Sequence, residues 1–213
     1  MREGTLARRR RSGGWSIRRC RDYRRCTPEQ ASRKRAHIER ILLVCGPQNS
    51  GKSRLLRNML GDRRLGGVVP GAGPIAPRSL SRERTLAVRL SSPHESNDTL
   101  KMFLDKIDKA SAVAWRDYWR LNYACAVQPS AANRMPGIVD VCKEITAQFW
   151  PERIRVIQLA PQQSGVEGET LGVAEVDKLR SCDVEVLTID ARRSTHPAEP
   201  GNVRILADYF DFS

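Results

Sequence analysis

The chain has 213 residues, 40% of them hydrophobic and 29% charged, with a formal net charge of +13. That length holds one full α/β domain with a sizeable core and excludes two such domains with linkers. No run approaches the ~18 apolar residues of a membrane span, and the basic start lacks the apolar core of a secretory signal, so a cytoplasmic protein without membrane association is expected.

The positive charge is concentrated at the start. Residues 1–40 carry 14 Lys/Arg against 4 Asp/Glu, a net of +10, and leave 23 against 20 for the remainder. Arg8 to Arg11, Gly13-Gly14 and the pairs Arg18-Arg19 and Arg24-Arg25 come with scarcely any apolar period. Residues 1–37 are therefore expected to form a disordered arginine-rich tail, ahead of a domain spanning 38–213. Such a tail fits either a contact for nucleic-acid phosphates or an unconstrained extension. Six cysteines (Cys20, Cys26, Cys45, Cys125, Cys142 and Cys182) form no Cys-x-x-Cys pair and have no histidine at ligand spacing, which suits a reducing compartment.

Ile41 to Cys45 is a β-type apolar run, and Leu55, Leu56, Met59 and Leu60 follow at helical spacing. Between them lies Gly46-Pro47-Gln48-Asn49-Ser50-Gly51-Lys52-Ser53, which satisfies the pattern Gly-x-x-x-x-Gly-Lys-Ser/Thr. Strand, loop and helix in this order place a polyphosphate on inward-facing backbone N–H groups and on the positive end of a helix. Lys52 would neutralise phosphate oxygens, the Ser53 hydroxyl would ligate Mg²⁺, and Arg54 follows on the same turn.

Gly61 to Pro77, with four glycines inside it and three prolines, reads as a surface excursion, and the arginines of 61–84 make a lid possible there. Thr85 to Leu90 is a second strand. Leu100, Phe103, Leu104 and Ile107 define a helix whose spacing extends to Trp115 and Trp119. Trp115, Tyr118 and Trp119, with Arg116 and Arg120, fit a stacking surface or packing on the sheet, and packing is the expectation. Tyr123 to Val127 is a third strand ending at Gln128-Pro129. Pro136 opens a helix through Ile138, Cys142, Ile145 and Phe149, followed by a fourth strand at Ile154 to Ala160. A short helix near Leu171 to Arg180, a fifth strand at Val184 to Ile189 and an apolar segment of unassigned type complete the chain.

Alternating strands and helices specify an α/β three-layer sandwich with a mainly parallel sheet of about five strands. In such sheets ligands gather at the carboxyl ends of strands. The residues there are Ser91 to Glu95, Gln128 to Ser130, Pro161 to Ser164, and Asp190 to Arg193.

Residues 38–60 resemble the first strand, phosphate loop and first helix of the P-loop nucleoside triphosphatases. The resemblance implies that Gly46 to Arg54 bind ATP with Mg²⁺, and that hydrolysis serves a switch or accessory ATPase. That family carries a metal-holding Asp at the end of an apolar strand. The third strand ends here in Gln128, an amide that cannot balance a metal charge or act as a base. Asp190, for metal binding and catalysis, and Glu95 beside His94, for catalysis, are the candidate substitutes, with Lys52 as the third catalytic residue. Arg192 and Arg193 could contact phosphate or base. The absence of Asp-x-x-Gly and Asn/Thr-Lys-x-Asp disfavours a guanine-specific switch. A small-molecule kinase and a nucleotide-gated nucleic-acid module using the basic tail are the alternative readings.

Overall fold

The computed structural model describes residues 34–165, 167–192 and 198–211. Residues 1–33 of the expected tail, with Cys20 and Cys26, lie outside the described residues, as does Arg193. Within them are six strands and five α-helices: β1 His37–Cys45, α1 Lys52–Met59, β2 Arg78–Ser79, β3 Arg84–Arg89, α2 Leu100–Ala114, β4 Arg120–Val127, α3 Ile138–Phe149, β5 Arg153–Leu159, α4 Val173–Arg180, β6 Val184–Ile189 and α5 Ala198–Asp208.

The strands form one sheet in the order β2-β3-β4-β1-β5-β6, in which only the β2–β3 pair is antiparallel. From Ile41 to Cys45 every residue of β1 is buried, as a central parallel strand covered on both faces requires. Alternate side chains feed two separate apolar clusters. Ile41, Leu43 and Cys45 join Phe103 and Ile107 of α2, Ile138 to Ile145 of α3 and Leu179 of α4. Leu42 and Val44 join Leu55, Leu56 and Met59 of α1 and Leu206 and Ala207 of α5. The two faces of the sheet are thus covered by α2, α3 and α4 on one side and by α1 and α5 on the other, which is the three-layer arrangement. At ~0.8 kcal/mol per buried CH₂ these two clusters are the main source of folding free energy.

The amino end of the sheet is fixed by charge. Glu39 is almost fully buried, and it accepts from Arg84 (2.9 Å), Arg120 (2.7 Å) and Asn122 (3.4 Å). Burial alone would raise its pKa; these donors overcome that and hold the carboxyl below its usual range. Arg35 pairs with Asp108, and Ala36 is buried with its carbonyl accepting from Ser111 Oγ at 2.6 Å. Residues 35–37, read from the sequence as the end of the tail, are therefore part of the packed domain.

Three other expectations change. The sheet has six strands, because Arg78–Ser79 inside the Gly/Pro-rich excursion pairs with β3. Two residues are too few to leave an alternation in the sequence. The excursion starts at the far end of α1 from the glycine loop and is anchored by buried Leu65 and by Ile75 and Leu80 packed on the core. Helix α2 stops at Ala114, and the amides of Trp119 and Arg120 both donate to Glu83 O as the chain enters β4. Trp115 and Trp119 pack edge to face, with centroids 5.8 Å apart, and Trp119 is 67% exposed, so they are not core residues. Their four-residue spacing is met across a turn, which periodicity alone cannot distinguish from a helix. The apolar C-terminal segment is helical through Asp208, with Leu206 and Ala207 buried at its end and Tyr209 and Phe210 buried in the turn that follows. No helix among the described residues is long and apolar enough to cross a membrane.

Candidate functional site

Because β1 is parallel to β4 and β5, and these to β3 and β6, the segments after all five strands emerge on one edge. The connection from β1 runs through α1 to β3 on one side, and that from β5 runs through α4 to β6 on the other. Strand order diverges at β1, the position where open α/β sheets bind ligands.

The loop after β1 turns tightly. Asn49 (φ 63°) and Gly51 (φ 99°) are left-handed, and Gly51 caps α1 without any side-chain bond to the helix. Gly46 is required for a different reason: a Cβ there would lie 2.6 Å from Ser50 Oγ. The Ser50 side chain is fully buried, and its hydroxyl has no hydrogen-bond partner among the described residues.

The loop's carbonyls are engaged. Lys52 Nζ donates to Gly46 O (2.9 Å) and Pro47 O (2.5 Å), and Pro47 O also accepts from Ser50 N. Gln163 Nε2 donates to Asn49 O (2.8 Å), Gln163 N donates to Ser50 O (3.4 Å), and Leu55 N donates to Gly51 O (3.0 Å). By contrast the N–H groups of Gln48, Asn49, Gly51, Lys52 and Ser53 have no acceptor among the described residues. Donors left over where acceptors are satisfied make an anion-binding concavity, reinforced by the positive end of α1.

Lys52 is only 4% exposed, and its ammonium also pairs with Glu95 Oε1 at 3.5 Å. Burial lowers the Lys52 pKa from its ordinary value, and Glu95 works against that shift. Ser53 Oγ donates its hydrogen to Leu90 O at 2.7 Å, which leaves its lone pairs as the available part of that hydroxyl. Asn49, Ser50, Gly51, Lys52, Ser53 and Arg54 line a cleft of about 270 Å³ together with Glu95 and Gln163. This is just under the ~300–1,000 Å³ of small-molecule sites, room for a phosphate chain more than for a whole nucleotide.

Glu95 reaches the cleft although β3 is separated from β1 by β4. The reason is His94, which is fully buried. Its Nε2 donates to Pro136 O at 3.0 Å, and its Nδ1 accepts from Gln128 N at 3.4 Å and lies 3.4 Å from Ser92 Oγ. Asn133 Nδ2 holds the His94 carbonyl at 2.6 Å. With both ring nitrogens taken, His94 fixes the turn, and the next side chain falls opposite Lys52. Burial lowers the His94 pKa, and Lys52 adds to the effect against the opposing Pro136 bond and Glu95.

The other expected residues sit elsewhere. Gln128 follows the strand beside β1, and its main chain serves His94. Asp190 does not line the cleft; its carboxylate is held by Arg192 Nη2 at 2.5 Å and Arg192 N at 2.9 Å. Arg192 lines a second, smaller pocket with Asn202 that shares Gly51 and Arg54 with the cleft. Gln163 was legible only as one of several residues after the fourth strand. What singles it out is the adjacency of β5 to β1, which no local pattern encodes. Among the described residues there is no group of three or more His, Cys, Asp or Glu able to hold a metal by themselves.

Comparison with protein-family models, with curated proteins and with solved structures finds no match to this chain.

Proposed function

We propose that the chain binds ATP with Mg²⁺ through the loop at Gly46 to Ser53 and hydrolyses it, as a P-loop nucleoside triphosphatase would. The observation that carries the reading is the hydrogen-bond inventory of the loop: five carbonyls engaged, five N–H groups without acceptors, and the Lys52 ammonium buried beneath them. Such a site is complementary to a chain of phosphate oxygens, all of them acceptors. The lone pairs of Ser53 suit Mg²⁺, which keeps most of its waters and takes few protein ligands. Bound there, the ion would neutralise charge on the phosphates.

In this reading Lys52 neutralises phosphate oxygens and Glu95 is the base. Its carboxylate lines the same cleft and accepts the proton of the attacking water, a role Gln128 has no group to perform. We assign that role to Glu95 and not to Asp190, because Glu95 lines the cleft and Asp190 does not.

The test is thermal unfolding with and without MgATP. At one hundred times Kd, binding stabilises by ~2.7 kcal/mol, a rise of about 5–11 °C in Tm for a domain of this size. Lys52→Met should abolish the rise, and an undiminished rise in that variant overturns the site. Release of free phosphate from MgATP without any acceptor, lost in Glu95→Gln, separates hydrolysis from transfer to a second substrate.

A further inference from the structure

A phosphate-binding loop works only if its carbonyls are held away from the anion, since a carbonyl oxygen facing a phosphate repels it. Each engaged carbonyl of this loop has an identifiable donor. Lys52 serves Gly46 and Pro47, and the first helical turn serves Gly51. The two central carbonyls, Asn49 and Ser50, are both served by a single residue from outside the loop, Gln163. The Asn49 carbonyl follows the left-handed Asn49, and the Ser50 carbonyl belongs to the peptide that enters the left-handed Gly51, a residue with no Cβ to restrict how that peptide turns.

The segment after β5 is built to bring Gln163 there. Ala160 N donates to Ile189 O, and Pro161 O accepts from Ala191 N, which ties the segment's start to the end of β6. Gly165 N closes a turn on Gln162 O. The body of the Gln163 side chain lies against Gly51, where a Cβ would meet Gln163 Oε1 at 3.1 Å and Cβ at 3.3 Å. Gln163 also lines the cleft, as Glu95 does.

We propose that Gln163 is a positioning residue that pre-organises the phosphate loop, by holding the Asn49 and Ser50 carbonyls so that the neighbouring N–H groups remain directed at a bound phosphate chain. This rests on the reading of the loop as a triphosphate site. Acting on the loop and not on the nucleoside, Gln163 governs affinity for the phosphate chain whatever is attached to it. It acts equally on ground and transition states, so it sets KM and leaves kcat alone.

The experiment uses the full chain and two probes with Mg²⁺, ATP and inorganic tripolyphosphate, by calorimetric titration. Gln163→Leu keeps the side-chain body and the backbone donor to Ser50 O and removes only the donor to Asn49 O. It should weaken both probes by the same factor, roughly three- to tenfold, the worth of one hydrogen bond. KM for MgATP should rise in parallel with kcat unchanged. Gln163→Glu matches the native shape, cannot donate when ionised and adds a charge beside the anion, so its loss should exceed that of the leucine variant.

Equal affinity in the wild type and both variants overturns the proposal and leaves the site reading intact. So does a loss confined to ATP, which would make Gln163 a nucleoside contact, or a fall in kcat at constant KM. If the wild type binds neither tripolyphosphate nor ATP, the site reading itself falls and takes this proposal with it.

Discussion

Replacing Gly46 by alanine tests the shape of the loop directly, because the loop leaves no room there for a methyl group. A Cβ at Gly46 falls 2.6 Å from Ser50 Oγ, 3.2 Å from Ser50 Cβ and 3.5 Å from Leu159 Cβ. Only the first distance is prohibitive, and it belongs to a fully buried hydroxyl without a hydrogen-bond partner among the described residues. Gly46→Ala should therefore destabilise by about 1–3 kcal/mol, as overpacking does. Ser50→Ala removes the obstructing atom together with an unsatisfied buried group, and alone it should be neutral or stabilise by ~1 kcal/mol. In the double variant the nearest contact relaxes to 3.2 Å. Most of the Gly46→Ala penalty should then vanish, a coupling of about 1–2 kcal/mol. Urea unfolding of the four proteins, followed by far-ultraviolet circular dichroism and extrapolated linearly, measures each term. If Gly46→Ala costs the same in both backgrounds, within ~0.5 kcal/mol, Ser50 is not lodged against Gly46 and the loop is shaped otherwise.

The burial of His94 gives a pH signature. Its folded pKa lies below the ~6.5 of an unfolded histidine, so as pH falls the unfolded chain takes up the proton first. Its contribution is complete above about pH 7 and is lost as pH drops through 6.5 toward the folded pKa, at up to ~1.4 kcal/mol per pH unit. Urea midpoints between pH 7.5 and 5.5 should decline more steeply in the wild type than in His94→Gln, and equal slopes would refute the assignment. Asp98 has a side chain only 3% exposed and accepts from both Arg89 (2.6 Å) and Lys106 (2.7 Å). Asp98→Ala should destabilise by about 3 kcal/mol, because it leaves Arg89 without that carboxylate near the core. Asp140, with a side chain 65% exposed and Lys143 at 3.7 Å, should tolerate the same change within ~0.5 kcal/mol, and similar losses at both positions would contradict this burial argument.

The order of strands and helices was legible because each strand is a short apolar run and each core helix repeats its apolar residues at three and four positions. Ile41 to Cys45, Tyr123 to Val127 and Val184 to Ile189 all lie within strands of the structure. What sequence could not give was lateral order. Nothing in residues 85–90 or 154–160 says that β4 and β5, not β3, flank the loop strand, since crossover helices permit several arrangements of the same string. Glu95 follows a strand one removed from β1 and Gln163 follows a strand adjacent to it, a difference that no local pattern records. Trp119 was misplaced for a complementary reason: spacing records which residues can share a face, and a turn of five residues satisfies the same spacing as a helix.

The amide of Gln128 at the end of β4 and the carboxylate of Glu95 are linked by geometry. A carboxylate at the end of β4 would stand directly beside the loop strand and be positioned by the sheet itself. Here that place is given to a residue whose backbone N–H serves His94, and the carboxylate is delivered by the following turn. A strand-end acid depends on the sheet ladder, whereas Glu95 depends on a buried, neutral imidazole with a carbonyl on one nitrogen and a donor on the other. Protonating His94 would place an N–H at Nδ1, facing the N–H of Gln128, and two donors would oppose each other where one hydrogen bond now holds the turn. The pairing of Glu95 with Lys52, and any proton transfer assigned to Glu95, is thus conditional on His94 remaining neutral, a condition that its burial favours.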